Sequence, residues 1–403
     1  MVSLPPPPIL ASLGRSEPVT KHRPRPPSHP YIAGTVLIDV FDTPPRPRPS
    51  SPLLNRSRPS QPPADTEISQ LPHIPSPTPD GQWEIIGGGA VYALIGARLW
   101  LPPASLRTLV DRSRSRDDFP KKIEAQLNKL AQGVWVFNEN DGTKAVRAAI
   151  GYIGDQRSFT YLVPPPQRSI AHLIHTPLYG ARYLHLVESP ERISTLLQEI
   201  KDPAHWTPRL IYEPHPLFCT ASQVTHLERI LPALTVLSPN HEELFSMYSL
   251  PRLAIMDPQT QPAIERLMRH LLDVGIGPNG DGIIVVRCGR LGACVGTRRG
   301  GLRWIPAFFE GDDELRVRDV TGAGNAFLGG YAAGLALTDE DAYEACLYGT
   351  VSASFVVEQF GLPVLSTTQE GGQENEVWNN EVPLDRVDAL RRRLQKGPDG
   401  HLW

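Results

Sequence analysis

The chain has no run of 18 consecutive apolar residues, so no segment of it reads as a membrane-spanning helix. It also lacks an excess of one charge: 40 Lys and Arg stand against 43 Asp and Glu, for a formal net charge of −3. With no basic stripe interleaved with aromatics, nothing would draw it onto a polyanion, and no nucleic-acid partner is expected. Cysteine is scarce. Cys219, Cys288, Cys294 and Cys346 show neither the close pairing of zinc sites nor a CxxC redox spacing, and they read as reduced core residues. At the amino end, where a signal peptide would need a continuous apolar stretch, stands "LPPPPIL". These absences together predict a cytoplasmic protein without a membrane partner.

Proline is abundant and unevenly placed. Residues 1 to 80 hold 21 of the 43 prolines, a composition that cannot bury enough apolar area to offset chain entropy. Residues 1–30 therefore read as a disordered leader and 43–80 as a proline-rich insertion. Such stretches suit either polyproline II docking to a protein partner or an unselected linker. Between them, "YIAGTVLIDVF" at 31–41 is apolar, β-branched and bounded by breakers, as a buried strand should be.

From residue 83 onward short apolar runs alternate with helical patterns: "VWVFN", "RYLHLV", "RLIYEPHP", "LTVLSPN" and "GIIVVRCG" are separated by segments such as "SPERISTLLQEI". Alternation of this kind predicts an α/β fold, a central and mostly parallel sheet of roughly eight strands with helices on both faces. Residues 366–403 read as a linker followed by a surface helix that begins at Pro383.

Ligands in such sheets bind beyond the carboxyl ends of strands, where strand-to-helix turns offer free backbone amides. Three turns qualify. Gly87, Gly88 and Gly89 follow "WEII". A dinucleotide fingerprint would need a third glycine where Tyr92 stands and an acidic residue further on, so the alternative is a turn requiring permissive backbone. Asn240 and Glu243 in "SPNHEE" have the spacing of a helix capping box, and equally place a carboxylate where it could hold water on Mg²⁺ beside a phosphate. In "VRDVTGAGNAFLGGYAAGL", residues 317–335, Gly322, Ala323 and Gly324 let amides converge on an anion at the positive end of a buried helix.

These features resemble the ribokinase-like, or PfkB, carbohydrate kinase family, whose second signature is D-x-T-G-A-G-D-x-F. Here it reads Asp319-Val320-Thr321-Gly322-Ala323-Gly324-Asn325-Ala326-Phe327. The resemblance covers residues 31–40 and 83–365, and "GARLWLP", "YEPHP" and "NAFLGGYAAGLA" are most similar to the fungal maintenance-of-killer branch. It implies that Gly322, Ala323 and Gly324 form an anion hole for the transferring phosphate, and that Asn240 and Glu243 organise Mg²⁺, held by Glu243 through water, and the phosphates of ATP. Gly289 falls at the nucleotide edge, where Arg287 and Cys288 replace the usual Thr-Leu. Asp39 and the glycine turn 87–89 fall where the family holds the hydroxyl-bearing substrate, although the polar sugar contacts after that turn are missing. The family's small β lid is expected to be reduced or absent, since 43–80 replaces it with prolines that cannot donate ladder hydrogen bonds.

Asn325 is the departure. The family's aspartate takes the proton of the attacking hydroxyl, and an amide cannot. Asp319 and His241 are the other nearby candidates, read respectively as a structural residue at a strand end and a solvated one. Two functions follow. One is an ATP- and Mg²⁺-dependent phosphotransferase acting on a small sugar-like or nucleoside-like hydroxyl. The other is a catalytically impaired pseudokinase that binds nucleotide or ligand and serves as an assembly partner.

Overall fold

A computed structural model describes residues 31–35, 37–41, 83–153, 156–201, 206–370 and 373–395. The leader 1–30, the insertion 43–80 and the end of the chain past 395 lie outside the described residues.

In chain order the strands are β1 (Tyr31–Thr35), β2 (Leu37–Phe41), β3 (Trp83–Gly87), β4 (Leu106–Asp111), β5 (Trp135–Asn138), β6 (Arg147–Ile153) and β7 (Gln156–Val163). They continue as β8 (Tyr183–Glu188), β9 (Arg209–Pro214), β10 (Val236–Leu237), β11 (Ile283–Arg287), β12 (Ala293–Thr297) and β13 (Gly301–Ile305). Nine of them form one sheet in the order β13-β12-β11-β10-β9-β8-β1-β4-β5. From β5 to β11 every pairing is parallel, and β12 and β13 are antiparallel additions at the edge. Two apolar clusters cover the sheet, one built around the helices Gly89–Arg98, Ala323–Leu337 and Ala342–Val357, the other around Val224–Ile230 and Thr260–Val274. This is the doubly wound α/β architecture that the alternating pattern predicts. The chain order turns back at the β1/β8 pairing, and beyond the carboxyl ends of the strands at such a switch point an open sheet leaves a crevice.

Two expectations need correction. The run 31–41 is not one strand: β1 pairs with β4 and β8 in the large sheet, whereas β2 belongs to a second sheet. That second sheet is the β lid expected to be reduced or absent. It has four strands in the order β3-β2-β6-β7. The prolines of 43–80 do not abolish it because they fall in the connection between β2 and β3, while the ladder is made by segments on either side and by the antiparallel β6–β7 pair.

Toward the end of the chain, where the sequence suggests a linker, β14 (Leu365–Glu370) and β15 (Gln373–Trp378) form an antiparallel hairpin. The helix Pro383–Gln395 buries Val387 and Leu390, as its pattern requires. It also buries Arg386, whose guanidinium lies 3.8 Å from the Phe355 ring centroid and pairs with Glu358 at 2.7 Å and Glu381 at 2.8 Å. All four cysteines are buried and free. Among the described residues no helix is long and apolar enough to cross a membrane.

Close helix packing sets the site. A Cβ on Gly96 would lie 2.0 Å from the Ala326 carbonyl oxygen, and one on Gly329 would lie 1.7 Å from that of Ala93. The helices Gly89–Arg98 and Ala323–Leu337 therefore touch backbone to backbone, and their amino ends come together at the sheet's ligand edge.

Candidate active site

The 323–337 helix begins on Gly322, which at φ 76° is left-handed and caps without a side chain. The Tyr92 ring packs beneath it so closely that a Cβ on Gly322 would fall 2.2 Å from Tyr92 Cγ. Thus the residue that breaks the dinucleotide pattern in "GGGAVYA" floors the opposite turn. Gly88 has φ 92° and starts the 89–98 helix, and a Cβ on Gly89 would meet Asn325 Nδ2 at 2.8 Å. The two glycine turns, distant in sequence, face each other.

A helix start leaves its first amides without intrahelical partners. Here the Ala323 N–H turns back to the Val320 carbonyl at 3.2 Å, so of the residues expected to form an anion hole, Ala323 has its amide already engaged. Asp319 is buried and accepts from the Thr321 N–H at 3.0 Å, fixing the approach to the turn. His241 is half-buried with its ring against Phe245, not solvated, and burial pushes its pKa down.

Behind the helix start lies a group of charges contributed by the carboxyl ends of neighbouring parallel strands. Glu213 is near the end of β9, Ser238 to Asn240 follow β10, and Arg287 ends β11. Arg287 Nη1 pairs with Glu213 Oε1 at 2.7 Å, while its Nη2 donates to the Ser238 carbonyl at 3.0 Å and lies 3.5 Å from Glu243 Oε2. Glu213 Oε2 accepts from Asn325 Nδ2 at 3.0 Å and lies 3.0 Å from Nε2 of the buried His185 on β8. Burial works to raise the Glu213 pKa, but Arg287, His185 and Asn325 outweigh it and bring the carboxyl to about 2.

Asn240 and Glu243 form the capping box the spacing predicts: Asn240 Oδ1 accepts from the Glu243 N–H at 2.8 Å, and the Asn240 N–H donates to Glu243 Oε2 at 2.8 Å. Asn240 Nδ2 donates to Glu243 Oε1 at 2.7 Å. Burial raises the Glu243 pKa to about 7 against the pull of Arg287. This donor set fits a divalent cation poorly: both Glu243 oxygens already accept from Asn240, and a guanidinium stands 3.5 Å from one of them, so a cation held there would meet a like charge. Among the described residues no group of three His, Cys, Asp or Glu could hold a metal ion.

Gly289 lies just past β11 at φ 52° with open space where its Cβ would be. Asp39 is central in β2, opposite Ile85 of β3 and Ala148 of β6, and Gly87 closes the same ladder opposite Leu37. The second sheet therefore starts where β1 leaves the switch point. The structure brings Asn325, Gly322, Gly324, Gly89, Asn240 and Glu243 to one edge together with Arg287, which the sequence places at the nucleotide edge without a role, and adds Glu213, His185 and Tyr92, which sequence reasoning did not assign.

The architecture is that of the ribokinase-like α/β fold, shared with solved ribokinases and adenosine kinases. An adenosine kinase from Schistosoma mansoni in complex with 2-fluoroadenosine superposes with a TM-score of 0.56 at 15% identity, over 83% of this chain and 97% of that one. For a putative ribokinase II from E. coli in complex with ATP and Mg²⁺ the TM-score is 0.53 at 13% identity, over 91% and 99%. Among curated sequences the chain is 29% identical over 326 residues to an uncharacterized protein of Schizosaccharomyces pombe, covering 75% of this chain and 85% of that protein. It is 26% identical over 325 residues to the protein MAK32 of Saccharomyces cerevisiae, covering 75% and 84%. The pfkB family carbohydrate kinase profile matches residues 177–368, so over that span the chain is similar to the carbohydrate kinases of that family.

Proposed function

We propose that the protein binds the phosphates of ATP at the start of the 323–337 helix and transfers a phosphoryl group to a hydroxyl of a small sugar-like or nucleoside-like molecule. The observation that carries this reading is the meeting of the two glycine turns at the carboxyl edge of the sheet, with Asn325 between them. Its neighbours in fold include proteins solved with ATP and Mg²⁺ and with an adenosine analogue, which supports a nucleotide and a small hydroxylated acceptor.

In this reading the main-chain amides at Gly322, Gly324 and Asn325 hold the transferring phosphate, and the helix dipole adds roughly half a positive charge there. Asp39, Gly87, Gly88 and Gly89 border the acceptor, and Gly289 borders the nucleotide. Asn325 cannot accept the hydroxyl proton. Its amide is anchored to Glu213, which also pairs with Arg287, so positioning and electrostatic alignment carry the reaction. Loss of a general base lowers the rate by about 10² to 10⁴.

The Arg287–Glu213–Asn325 linkage favours a second reading, a pseudokinase that binds nucleotide without turning it over and acts as an assembly partner. Incubation with ATP and a panel of polyols, sugars and nucleosides, read by mass spectrometry, separates the two. A phosphorylated acceptor supports transfer. Nucleotide binding without product supports the pseudokinase, and absence of both removes the nucleotide from either account.

A further inference from the structure

We infer that the Arg287 guanidinium, rather than a divalent cation, is the fixed charge that meets the polyphosphate at the 323–337 helix start, so that nucleotide binding by this chain does not require Mg²⁺. The inference rests on the nucleotide reading above and assigns Arg287 as a phosphate-binding residue.

The placement of Arg287 is electrostatically odd. Positive side chains are disfavoured at a helix amino end, which itself carries partial positive charge. Yet the guanidinium lies so near the first turn that a Cβ on Gly324 would fall 2.4 Å from Arg287 Nη1. It is held there from three sides, by Glu213, by the Ser238 carbonyl and by Glu243. The side chain is 10% exposed, and its Nε is buried without a hydrogen-bond partner. The edge of the guanidinium that faces the first turn is Nη1, and the planar, weakly hydrated group suits phosphate oxygens docked on the helix amides.

Asn325 fits the same account. An aspartate there would put a third carboxylate around one arginine, beside Glu213 and Glu243, and would repel the phosphate. With an amide at 325, the cation and the main-chain amides face the anion without that charge. Glu243, which could otherwise hold a cation through water, accepts from Asn240 on both oxygens and stands 3.5 Å from the guanidinium, so a second cation there would be repelled. The charge that a metal would deliver is thus built into β11.

The test is calorimetric titration of the full chain with a non-hydrolysable ATP analogue, in Mg²⁺ and in excess EDTA. We expect dissociation constants within about threefold of each other, because the guanidinium stays in place without metal. Two variants accompany the wild type. Arg287→Lys keeps a charge but loses the planar fork. Glu213→Gln/Arg287→Met removes both members of the ion pair, so no carboxylate is left buried opposite an empty position. Both are expected to bind at least about tenfold more weakly in EDTA, with circular dichroism and thermal melting reporting the fold. Binding that requires Mg²⁺ in the wild type would overturn the inference and leave the nucleotide reading intact. Undiminished EDTA binding by a folded variant would overturn it as well. No binding in either condition would remove both the inference and the nucleotide reading.

Discussion

Asn325 Nδ2 donates to Glu213 Oε2 at 3.0 Å, tying the first turn of the 323–337 helix to the end of β9. Position 325 is therefore not merely neutral in this chain. It is the amide half of a carboxylate–amide pair whose other oxygen is bound to Arg287.

Restoring the aspartate should for that reason fail as a simple repair. Asn325→Asp sets two carboxylates about 3 Å apart, a repulsion of up to about 5.5 kcal/mol at an effective dielectric of about 20. We expect a lower urea midpoint at neutral pH, with the loss diminishing as the medium is acidified and one carboxyl takes a proton. The exchange variant Asn325→Asp/Glu213→Gln keeps one acid and one amide and should recover most of the stability. Equal midpoints for Asn325→Asp and wild type would show that the pair is not coupled.

Stability should also change with pH through Glu243. Its folded pKa of about 7 lies above its unfolded value, so the folded state holds a proton that the unfolded state has released. Unfolding free energy should therefore fall as pH rises from roughly 4.5 to 7 and level off above. Glu213 acts oppositely: its folded pKa of about 2 is depressed, so its contribution is present above roughly 4.5 and is lost as pH falls toward 2. Denaturation curves across pH 4 to 8 on wild type and Glu243→Gln provide the check, with the neutral-range slope flattening in the variant.

How legible this site was in the sequence depends on how local each part is. The capping box and the D-x-T-G-A-G turn were readable because a few consecutive residues dictate them. Glu213 was not, nor was its pairing with Arg287, which the sequence places only at the nucleotide edge: each is one polar residue at the end of an apolar strand, and the two meet only when β9, β10 and β11 lie side by side. Tyr92 was noticed only as a failed glycine. The second sheet is hard to read because its described strands lie on either side of the proline-rich stretch 43–80, whose composition says nothing of them. The split of 31–41 into β1 and β2 has no breaker to announce it, because both strands are apolar and the chain merely changes sheets.

The contact between helices 89–98 and 323–337 predicts intolerance of a single methyl group. Gly96→Ala and Gly329→Ala would each push a Cβ into a backbone carbonyl of the facing helix, and a carbonyl cannot swing aside as a side-chain tip can. Each should destabilise at or above the upper end of the roughly 1–3 kcal/mol typical of overpacking. Because the same contact sets the distance between the two glycine turns, nucleotide affinity should fall with it, as calorimetry on a folded variant would show.

The carboxyl-terminal helix should depend on Arg386. Arg386→Ala removes the partner of Glu358 and Glu381 and the cation over Phe355. Breaking a buried pair from one side costs about 3–5 kcal/mol, less here because Glu381 is partly exposed and regains water. Limited proteolysis should cut the 383–395 segment faster in the variant than in the wild type, and an unchanged digestion pattern would count against this role.

The glycine contact at Gly96 and Ala326 joins positions 230 residues apart in the chain. Such a contact belongs to the slow, non-local part of folding. On a ribosome the turn at 87–89 would emerge and wait, with the apolar face of its helix uncovered, until more than four-fifths of the 403 residues had been made. The meeting of the two glycine turns is in that sense a product of the finished molecule, and any nascent chain stalled before residue 337 would carry one turn without its partner and an open hydrophobic seam prone to aggregation.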